Sequence, residues 1–122
     1  MLITNTTRQT TLADKANRAN GFLSRGRGLM FTDPLPQGAG LVIDPCNSIH
    51  MFFMRFAIDA VFLDKDLRVV KLIPALPPWR ATRVYWKAHS VLELPAGVAS
   101  GAGTQEGDQL IFEQVAKQPL GL

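Results

Sequence analysis

The chain has 122 residues, of which 47% are hydrophobic and 19% charged, and its formal net charge is +3. This balance predicts one globular domain over residues 1–122 and excludes a disordered chain, because such a length can bury roughly two thirds of its unfolded surface. The basic excess is small and dispersed, so we expect no nucleic-acid partner, which would need clustered Lys and Arg. Cys46 is the sequence's one cysteine, which excludes an intramolecular disulfide.

The sequence shows no signal for export or for membrane insertion. Residues 1–15 lack a basic segment followed by an apolar run, as a signal peptide would have. The longest apolar stretch, residues 49–63, is interrupted by His50, Arg55 and Asp59 and is shorter than the ~20 residues of a spanning helix. We therefore predict a cytoplasmic protein with no membrane span.

The first third of the chain reads as a strand, a helix and a loop. Residues 2–11 are rich in threonine and predict an extended strand or arm. Thr11 is placed to cap a helix over residues 12–22, which the Gly- and Arg-rich run 24–28 would end. Residues 33–38 predict a loop, because Pro34 and Pro36 remove backbone donors.

From residue 40 onward the pattern predicts short strands. The clearest are residues 58–64 and 67–73, two apolar runs separated by the polar turn at Asp64, Lys65 and Asp66, which predict a hairpin. Together with the N-terminal helix they indicate an α+β fold of predominantly antiparallel β structure, as a curled sheet or partly open small barrel. Further strands are predicted over residues 40–44, 49–54, 84–86, 90–94 and 109–115, followed by a tail at 116–122.

Five ordered motifs carry a family resemblance. They are GLMF at 28–31, IHMFFMRFAIDAVFLD at 49–64, PWR at 78–80, LELPAG at 92–97 and GD at 107–108. Over residues 2–115 the chain resembles domain-of-unknown-function family 192. The resemblance implies a small β-rich α+β domain, exported in some members, with no settled biochemical role. Met51 and Ala57 depart from the Thr and Pro frequent in the family, which weakens hydroxyl chemistry at the first position and softens the strand break at the second.

Cys46, His50 and Met54 are spaced like soft-metal ligands. On a helix, residues four apart lie within ~6 Å, close enough to share one ion. On a strand, Cys46 and His50 would be ~13 Å apart. Because residues 49–54 read as a strand, we predict no metal and no cofactor, with Cys46 an ordinary, mostly unreactive thiol.

Several ionisable residues lie within or beside apolar strands, where a charge must be paired or reach water. The group consists of His50, Arg55 and His89 with the carboxylates Asp59 and Glu93. In one interpretation the carboxylates bind backbone N–H groups or arginines and hold strand ends in place. In the other they help to line a pocket, with Trp79 as a wall and Arg80 binding an anion. The ligand-binding candidates of this second interpretation are His50, Arg55, Asp59, Trp79, Arg80 and Glu93.

Three functions remain open at this level. The first is a domain that binds a small ligand or a protein partner near the candidate residues, as a monomer or weak dimer. The second is a hydrolase that uses His50 as a base with a carboxylate to orient it. The third is a structural interaction module, which exposed apolar residues near Leu76 and Trp79 would favour. Convergence of His50, Asp59 and Glu93 on one concave site would favour the enzyme.

Overall fold

The computed structural model of the chain describes residues 1–19, 29 and 32–114. Strands dominate this part of the chain, and a short helix follows the seventh of them. In chain order the elements are β1 (Leu2–Asn5), β2 (Thr10–Ala13), β3 (Lys15–Ala19), β4 (Ala39–Ile43), β5 (Ile58–Leu63), β6 (Val69–Leu76), β7 (Ser90–Pro95), α1 (Val98–Gly101) and β8 (Leu110–Glu113).

These strands form two sheets. The larger has the order β3-β4-β7-β5-β6 and the smaller the order β2-β1-β8. All neighbours are antiparallel except β3 and β4, which are parallel. The predicted β-rich, mainly antiparallel class is confirmed. In place of the predicted curled sheet or partly open barrel, the described strands form two sheets, and they do not close into a barrel.

The predicted hairpin is confirmed by the pairing of β5 with β6, in which Val61 lies opposite Leu72. Its turn is fixed by Asp64, whose Oδ1 accepts the N–H groups of Asp66 and Arg68, each at 2.9 Å. A carboxylate that binds amides two and four residues ahead stabilises a tight reversal, which explains the polar turn in the sequence.

The predicted N-terminal helix is wrong over residues 12–19, which form the end of β2 and all of β3. A bend at Asp14 separates these strands, and the N–H groups of Asp14 and Lys15 both donate to the carbonyl of Gly38. The buried residues Leu12, Ala13, Ala16 and Ala19 imitate a helical period because the bend shifts the alternation of the strands. Residues 20–22 of the predicted helix and the run at 24–28 lie outside the described residues.

The predicted strands over 49–54 and 84–86 are also wrong. In the first segment His50 forms an isolated bridge to Ala81, and the N–H of Met54 donates to the carbonyl of Met51 to close a turn. The second segment runs beside the first without regular strand geometry. The strands predicted at 40–44, 90–94 and 109–115 correspond to β4, β7 and β8, although residue 115 and the tail at 116–122 lie outside the described residues.

Two hydrophobic cores cover the two faces of the larger sheet. The first core lies between the sheets and under α1; it includes Ile3, Leu12, Val42, Val61, Leu63, Leu92, Leu94, Ala99 and Leu110. The second core lies on the opposite face, under the irregular segment 46–56; it includes Met51, Met54, Ile58, Ala60, Phe62 and Val91. Among the described residues no helix is long and apolar enough to cross a membrane.

Candidate functional site

Asp59 and Glu93 lie on neighbouring strands but point to opposite faces of the larger sheet. Asp59 is opposite Leu94 of the first core, whereas Glu93 is opposite Ala60 of the second core. Directly opposed residues of an antiparallel pair share a face, and successive residues alternate between faces. The two carboxylates therefore cannot line one pocket.

Asp59 is fully buried and binds three backbone N–H groups. Its Oδ1 accepts the amide of Ala75 at 2.8 Å, and its Oδ2 accepts those of Gly97 at 3.0 Å and Ala99 at 2.9 Å. Ala75 belongs to β6, and the other two amides lie at the start of α1. One carboxylate thus joins three elements by charge-assisted hydrogen bonds, which is the structural role considered from the sequence.

Glu93 is buried without such partners. Its side chain lies in the second core between the cross-strand neighbours Leu41 and Ala60, and Oε2 has no hydrogen-bond partner among the described residues. Burial raises the pKa of the Glu93 carboxyl from 4.5 to about 7. The protonated form is favoured because an unpaired carboxylate loses its hydration in an apolar environment.

A third buried carboxylate, Asp108, was not singled out from the sequence. Its Oδ2 accepts hydrogen bonds from Asn5 Nδ2 at 2.9 Å, from Arg8 Nε at 3.1 Å and from the Gln105 N–H at 2.9 Å. Burial acts to raise the pKa of Asp108, but the hydrogen bonds and the charge of Arg8 outweigh it, so the pKa lies below its usual value. Asp108 joins the β1–β2 turn to the turn before β8.

Above the second core, segment 46–56 pairs loosely with segment 79–87. The N–H of Thr82 donates to the carbonyl of Ile49, and the N–H of Tyr85 donates to the carbonyl of Asn47. Ile49 in turn donates its N–H to the Thr82 hydroxyl at 3.0 Å. These bonds hold the two segments together as an irregular ribbon.

One end of this ribbon presents large aromatic side chains to solvent. We call Phe52, Phe53 and Trp79, with the ring of His50, the aromatic surface. The exposed fractions of the first three are 40%, 48% and 60%. Phe52 stacks on His50 with ring centroids 5.0 Å apart, and Phe53 meets Trp79 edge-on at 5.0 Å. Phe52 also lies 6.1 Å from Trp79, so the rings form one contiguous patch.

Two of these aromatic residues occupy backbone positions that normally belong to glycine. Phe53 is the third residue of the turn that Met51 begins, and its φ is 64°. Trp79 has a φ of 66°. Its N–H donates to the Met51 carbonyl at 2.8 Å, while the Met51 N–H donates to the Arg80 carbonyl at 2.6 Å. Trp79 and Arg80 thus lie opposite the single residue Met51, which is the pattern of a β-bulge. The first residue of such a bulge, here Trp79, is usually a glycine in the left-handed conformation.

The aromatic surface lies in a basic, acid-free part of the sequence. Residues 46–57 and 77–89 contain four Lys or Arg residues and no Asp or Glu: Arg55, Arg80, Arg83 and Lys87. All four are exposed, and none forms an ion pair within the described part of the chain. The guanidinium of Arg83 lies 5.8 Å from the centroid of the Tyr85 ring. The surface therefore offers apolar contact and positive charge together.

The structure brings together some of the predicted binding residues. His50 and Trp79 belong to the aromatic surface, Arg80 is the exposed residue that follows Trp79, and Arg55 is exposed in the same segment as His50. Asp59 lies in the scaffold on the far face of the sheet, and Glu93 lies in the core beneath the segment.

The catalytic and metal arrangements considered from the sequence are not assembled in the described residues. His50 Nδ1 accepts the N–H of Phe52 at 3.2 Å and forms no ion pair with a carboxylate there. Cys46 Sγ donates to the Ser48 carbonyl at 3.0 Å, and Met54 is buried in the second core. No three His, Cys, Asp or Glu side chains in ranges 1–19 and 32–114 are grouped as metal ligands.

Two concave features of the described surface lie away from the aromatic surface. One is a groove of about 780 Å³ between β2 and α1, bordered by Thr10, Thr11, Gln37, Pro95, Gly97 and Ala102. The other is a depression of about 270 Å³, bordered by Cys46 and His89. The groove is formed by small and neutral residues, so it offers shape but no charged group to orient a ligand.

Phe52 and Phe53 are the residues that sequence reasoning missed. As neighbours in a strand they would point to opposite faces, so one of them would be buried. Both are exposed because the chain turns between Met51 and Met54. The sequence carries no clear signal for this turn, because residues 51–54 are all apolar and their pattern does not show that Met51 and Met54 are the buried pair.

Comparisons with known proteins agree with the family resemblance. Residues 3–112 match the profile of DUF192, described as "Uncharacterized ACR". The UPF0127 protein PH1112 of Pyrococcus horikoshii is 32% identical over 114 residues, covering 89% of this chain and 96% of the relative. A UPF0127 protein of Thermococcus sibiricus is 35% identical over 117 residues, covering 92% and 75%.

The fold is shared with a protein of unknown function from Novosphingobium aromaticivorans. Its crystal structure aligns with a TM-score of 0.78 at 21% identity, covering 91% of this chain and 82% of that one. At this identity the likeness concerns the fold alone. From the profile match and the UPF0127 relatives, the chain belongs to the DUF192 (UPF0127) family.

Proposed function

We propose that this chain is a small binding domain that holds a small ligand or a protein partner on the aromatic surface. The observation that carries the proposal is the pair Phe53 and Trp79, two exposed aromatic residues held in left-handed backbone conformations. Such a conformation costs a non-glycine residue roughly 1–2 kcal/mol. Glycine at either position would avoid that cost, so the backbone conformation itself does not favour these side chains.

Solvent exposure of the rings supports the same conclusion. Apolar side chains exposed together are typical of sites where a partner removes them from water. Aromatic residues are enriched among the side chains that contribute most to binding, because they bury large areas at little conformational cost. His50 stacks on Phe52 and so extends the patch with a polar edge.

The neighbouring arginines give the surface a preference for anionic groups. Arg80 directly follows Trp79 and its side chain is exposed, as is that of Arg55. A guanidinium binds a carboxylate or phosphate through paired hydrogen bonds. In this proposal Asp59 and Glu93 are buried and make no contact with the ligand, which is bound by His50, Arg55, Trp79 and Arg80.

Chemical-shift mapping by NMR tests the proposal. The labelled protein would be titrated with a library of small aromatic carboxylates and with short peptides. We expect the compounds that bind to shift the amide signals of residues 50–53 and 79–81. Trp79→Ala should abolish those shifts while the spectrum stays that of a folded protein.

The groove between β2 and α1 supplies the competing outcome. Ligands that shift the amides of Thr11, Gly97 and Ala102, and that bind equally well to Trp79→Ala, would place binding in that groove. This result would overturn the proposal. Thr11→Ala is the matched control, because Thr11 is exposed at the groove; it should leave shifts at the aromatic surface unchanged.

A further inference from the structure

We propose that the occupant of the aromatic surface is an extended acidic peptide of a protein partner, which pairs with the open backbone edge at Ala81. The inference rests on the proposed function and adds the class of partner and its binding mode. Three separate features of segment 79–87 support it: an unpaired backbone edge, unpaired cations and the adjoining aromatic patch.

The backbone edge follows from the bridge between His50 and Ala81. Hydrogen bonds on either side of this bridge run from the Met51 N–H to the Arg80 carbonyl and from the Thr82 N–H to the Ile49 carbonyl. In an antiparallel pair flanked in this way, the two opposed residues direct their own N–H and C=O groups away from each other's segment. Ala81 is exposed, and neither of these groups is hydrogen-bonded within the described part of the chain.

An edge of this kind is a template for another extended chain. A peptide that adds to it gains main-chain hydrogen bonds, while its side chains provide specificity. Lipid headgroups and nucleic-acid backbones lack the alternating donor and acceptor groups that would match Ala81. The edge therefore favours a peptide over other anionic partners.

The charges select an acidic peptide. Arg80 and Arg83 flank Ala81 at one and two residues, and Lys87 follows in the same segment. All three are exposed and have no ion-pair partner among the described residues. Asp or Glu side chains on an added strand would meet these cations, whereas Lys or Arg side chains would be repelled.

The aromatic patch selects an apolar residue beside the acidic ones. The rings of Phe52, Phe53 and Trp79 pack edge-on or tilted against one another. They form one continuous apolar patch. Successive bases of a single-stranded nucleic acid would instead need separate ring faces on which to stack. An aromatic or large aliphatic side chain of the peptide fits this patch as an anchor.

The test is a selection of random dodecapeptides displayed on phage against the full chain. An enriched peptide would then be synthesised with a fluorescent label, and its Kd measured by anisotropy. We expect enriched peptides to combine Asp or Glu with at least one large apolar residue. Trp79→Ala and the double variant Arg80→Gln/Arg83→Gln should each weaken binding at least about tenfold.

Two further comparisons isolate the charge and the backbone edge. Lys15→Gln/Lys65→Gln removes the same charge from exposed positions on other elements, and it should leave the Kd within about twofold if the arginines act locally. Ala81→Pro removes the outward N–H and should also weaken binding about tenfold. If Ala81→Pro lowers the melting temperature, hydrogen exchange replaces it: the Ala81 amide should become protected in the wild-type complex.

The outcomes separate this inference from the proposed function. If neutral or basic peptides bind through Trp79, the preference for an acidic peptide is wrong. If acidic peptides bind but leave the Ala81 amide unprotected, the strand pairing is wrong. In both cases the proposed function of the aromatic surface still stands. The same measurements would be made with vesicles of equal parts phosphatidylglycerol and phosphatidylcholine, and with oligothymidylate. If either binds through Trp79 more tightly than the selected peptides do, the partner is a membrane or a nucleic acid and the peptide proposal is wrong. Peptide binding that is indifferent to Trp79→Ala would overturn both proposals.

Discussion

Asp59 shows how one residue can hold a fold together. Its carboxylate accepts three amides from β6 and from the start of α1, and it has no exposed surface. A carboxylate offers only acceptors, which suits a site that presents only donors. The carboxamide of Asn cannot satisfy the same set, because its NH₂ group would face one of the N–H groups.

We expect Asp59→Asn to destabilise folding by about 2–3 kcal/mol, since charge-assisted hydrogen bonds are lost and a donor faces a donor. For a domain of this size the melting temperature should fall by roughly 5–15 °C. Asp66→Asn is the matched control, because Asp66 is exposed in the hairpin turn; its melting temperature should change little. An Asp59→Asn variant as stable as the wild type would show that the Asp59 carboxylate does not stabilise the fold.

Glu93 makes stability depend on pH. Its pKa rises from 4.5 to about 7 in the folded chain because of burial. The folded state therefore retains a proton that the unfolded state releases, so the stabilisation is complete below about pH 4.5 and is lost as pH rises through about 7. Chemical denaturation should show the free energy of unfolding falling by about 3 kcal/mol over this range.

We expect Glu93→Gln to remove most of this pH dependence. At pH values above the pKa of Glu93 the variant should be more stable than the wild type by roughly 1–3 kcal/mol, because no charge is buried. Glu113→Gln, at an exposed position of β8, should keep the wild-type profile. Parallel wild-type and Glu93→Gln profiles would show that Glu93 is ionised, and paired, in the folded protein.

The burial of Asp59 and Glu93 could be predicted from the sequence, but their hydrogen-bond partners could not. Asp59 and Glu93 stood out because they interrupt apolar strands, and both are buried. Their partners could not be predicted, because the amides that bind Asp59 come from residues 16 to 40 positions away. The opposite directions of the two side chains depend on the register of β5 against β7, which no local pattern specifies.

At the scale of elements, the hairpin was predictable and the N-terminal segment was not. The runs that form β5 and β6 are apolar and β-branched, and Asp64 marks their turn, so local preference and tertiary structure agree. Residues 12–19 contain alanine, leucine, lysine and arginine, which favour a helix. Pairing with β1 and β4 overrides that preference, because it places Leu12, Ala13 and Ala16 in the first core.

The bulge at Trp79 leads to a prediction about backbone strain. Since Trp79 has a positive φ, Trp79→Gly should be more stable than Trp79→Ala by about 1 kcal/mol. Trp86 is the matched control: it is 84% exposed and is not among the residues with positive φ. At position 86 the alanine variant should be at least as stable as the glycine variant. If alanine is also the more stable residue at position 79, the backbone of Trp79 is not strained.

At the scale of the whole molecule, the larger sheet separates a folding role from the proposed binding role. One face supports the first core, with Asp59 joining α1 to β6. The other supports the second core, which lies beneath the segments that carry the aromatic surface. The sequence indicated the sheet and part of the site, but the meeting of residues 50–53 with residue 79 depends on the pairing of two irregular segments.

The free energy of unfolding of Phe52→Ala/Trp79→Ala tests most directly whether the aromatic surface exists for binding. Both side chains are substantially exposed, and alanine at position 79 keeps the backbone cost that Trp79 already bears. We predict a value within about 1 kcal/mol of the wild type by chemical denaturation. A loss of about 3 kcal/mol or more, typical of a buried aromatic residue, would show that these rings belong to the folding core and would contradict the account.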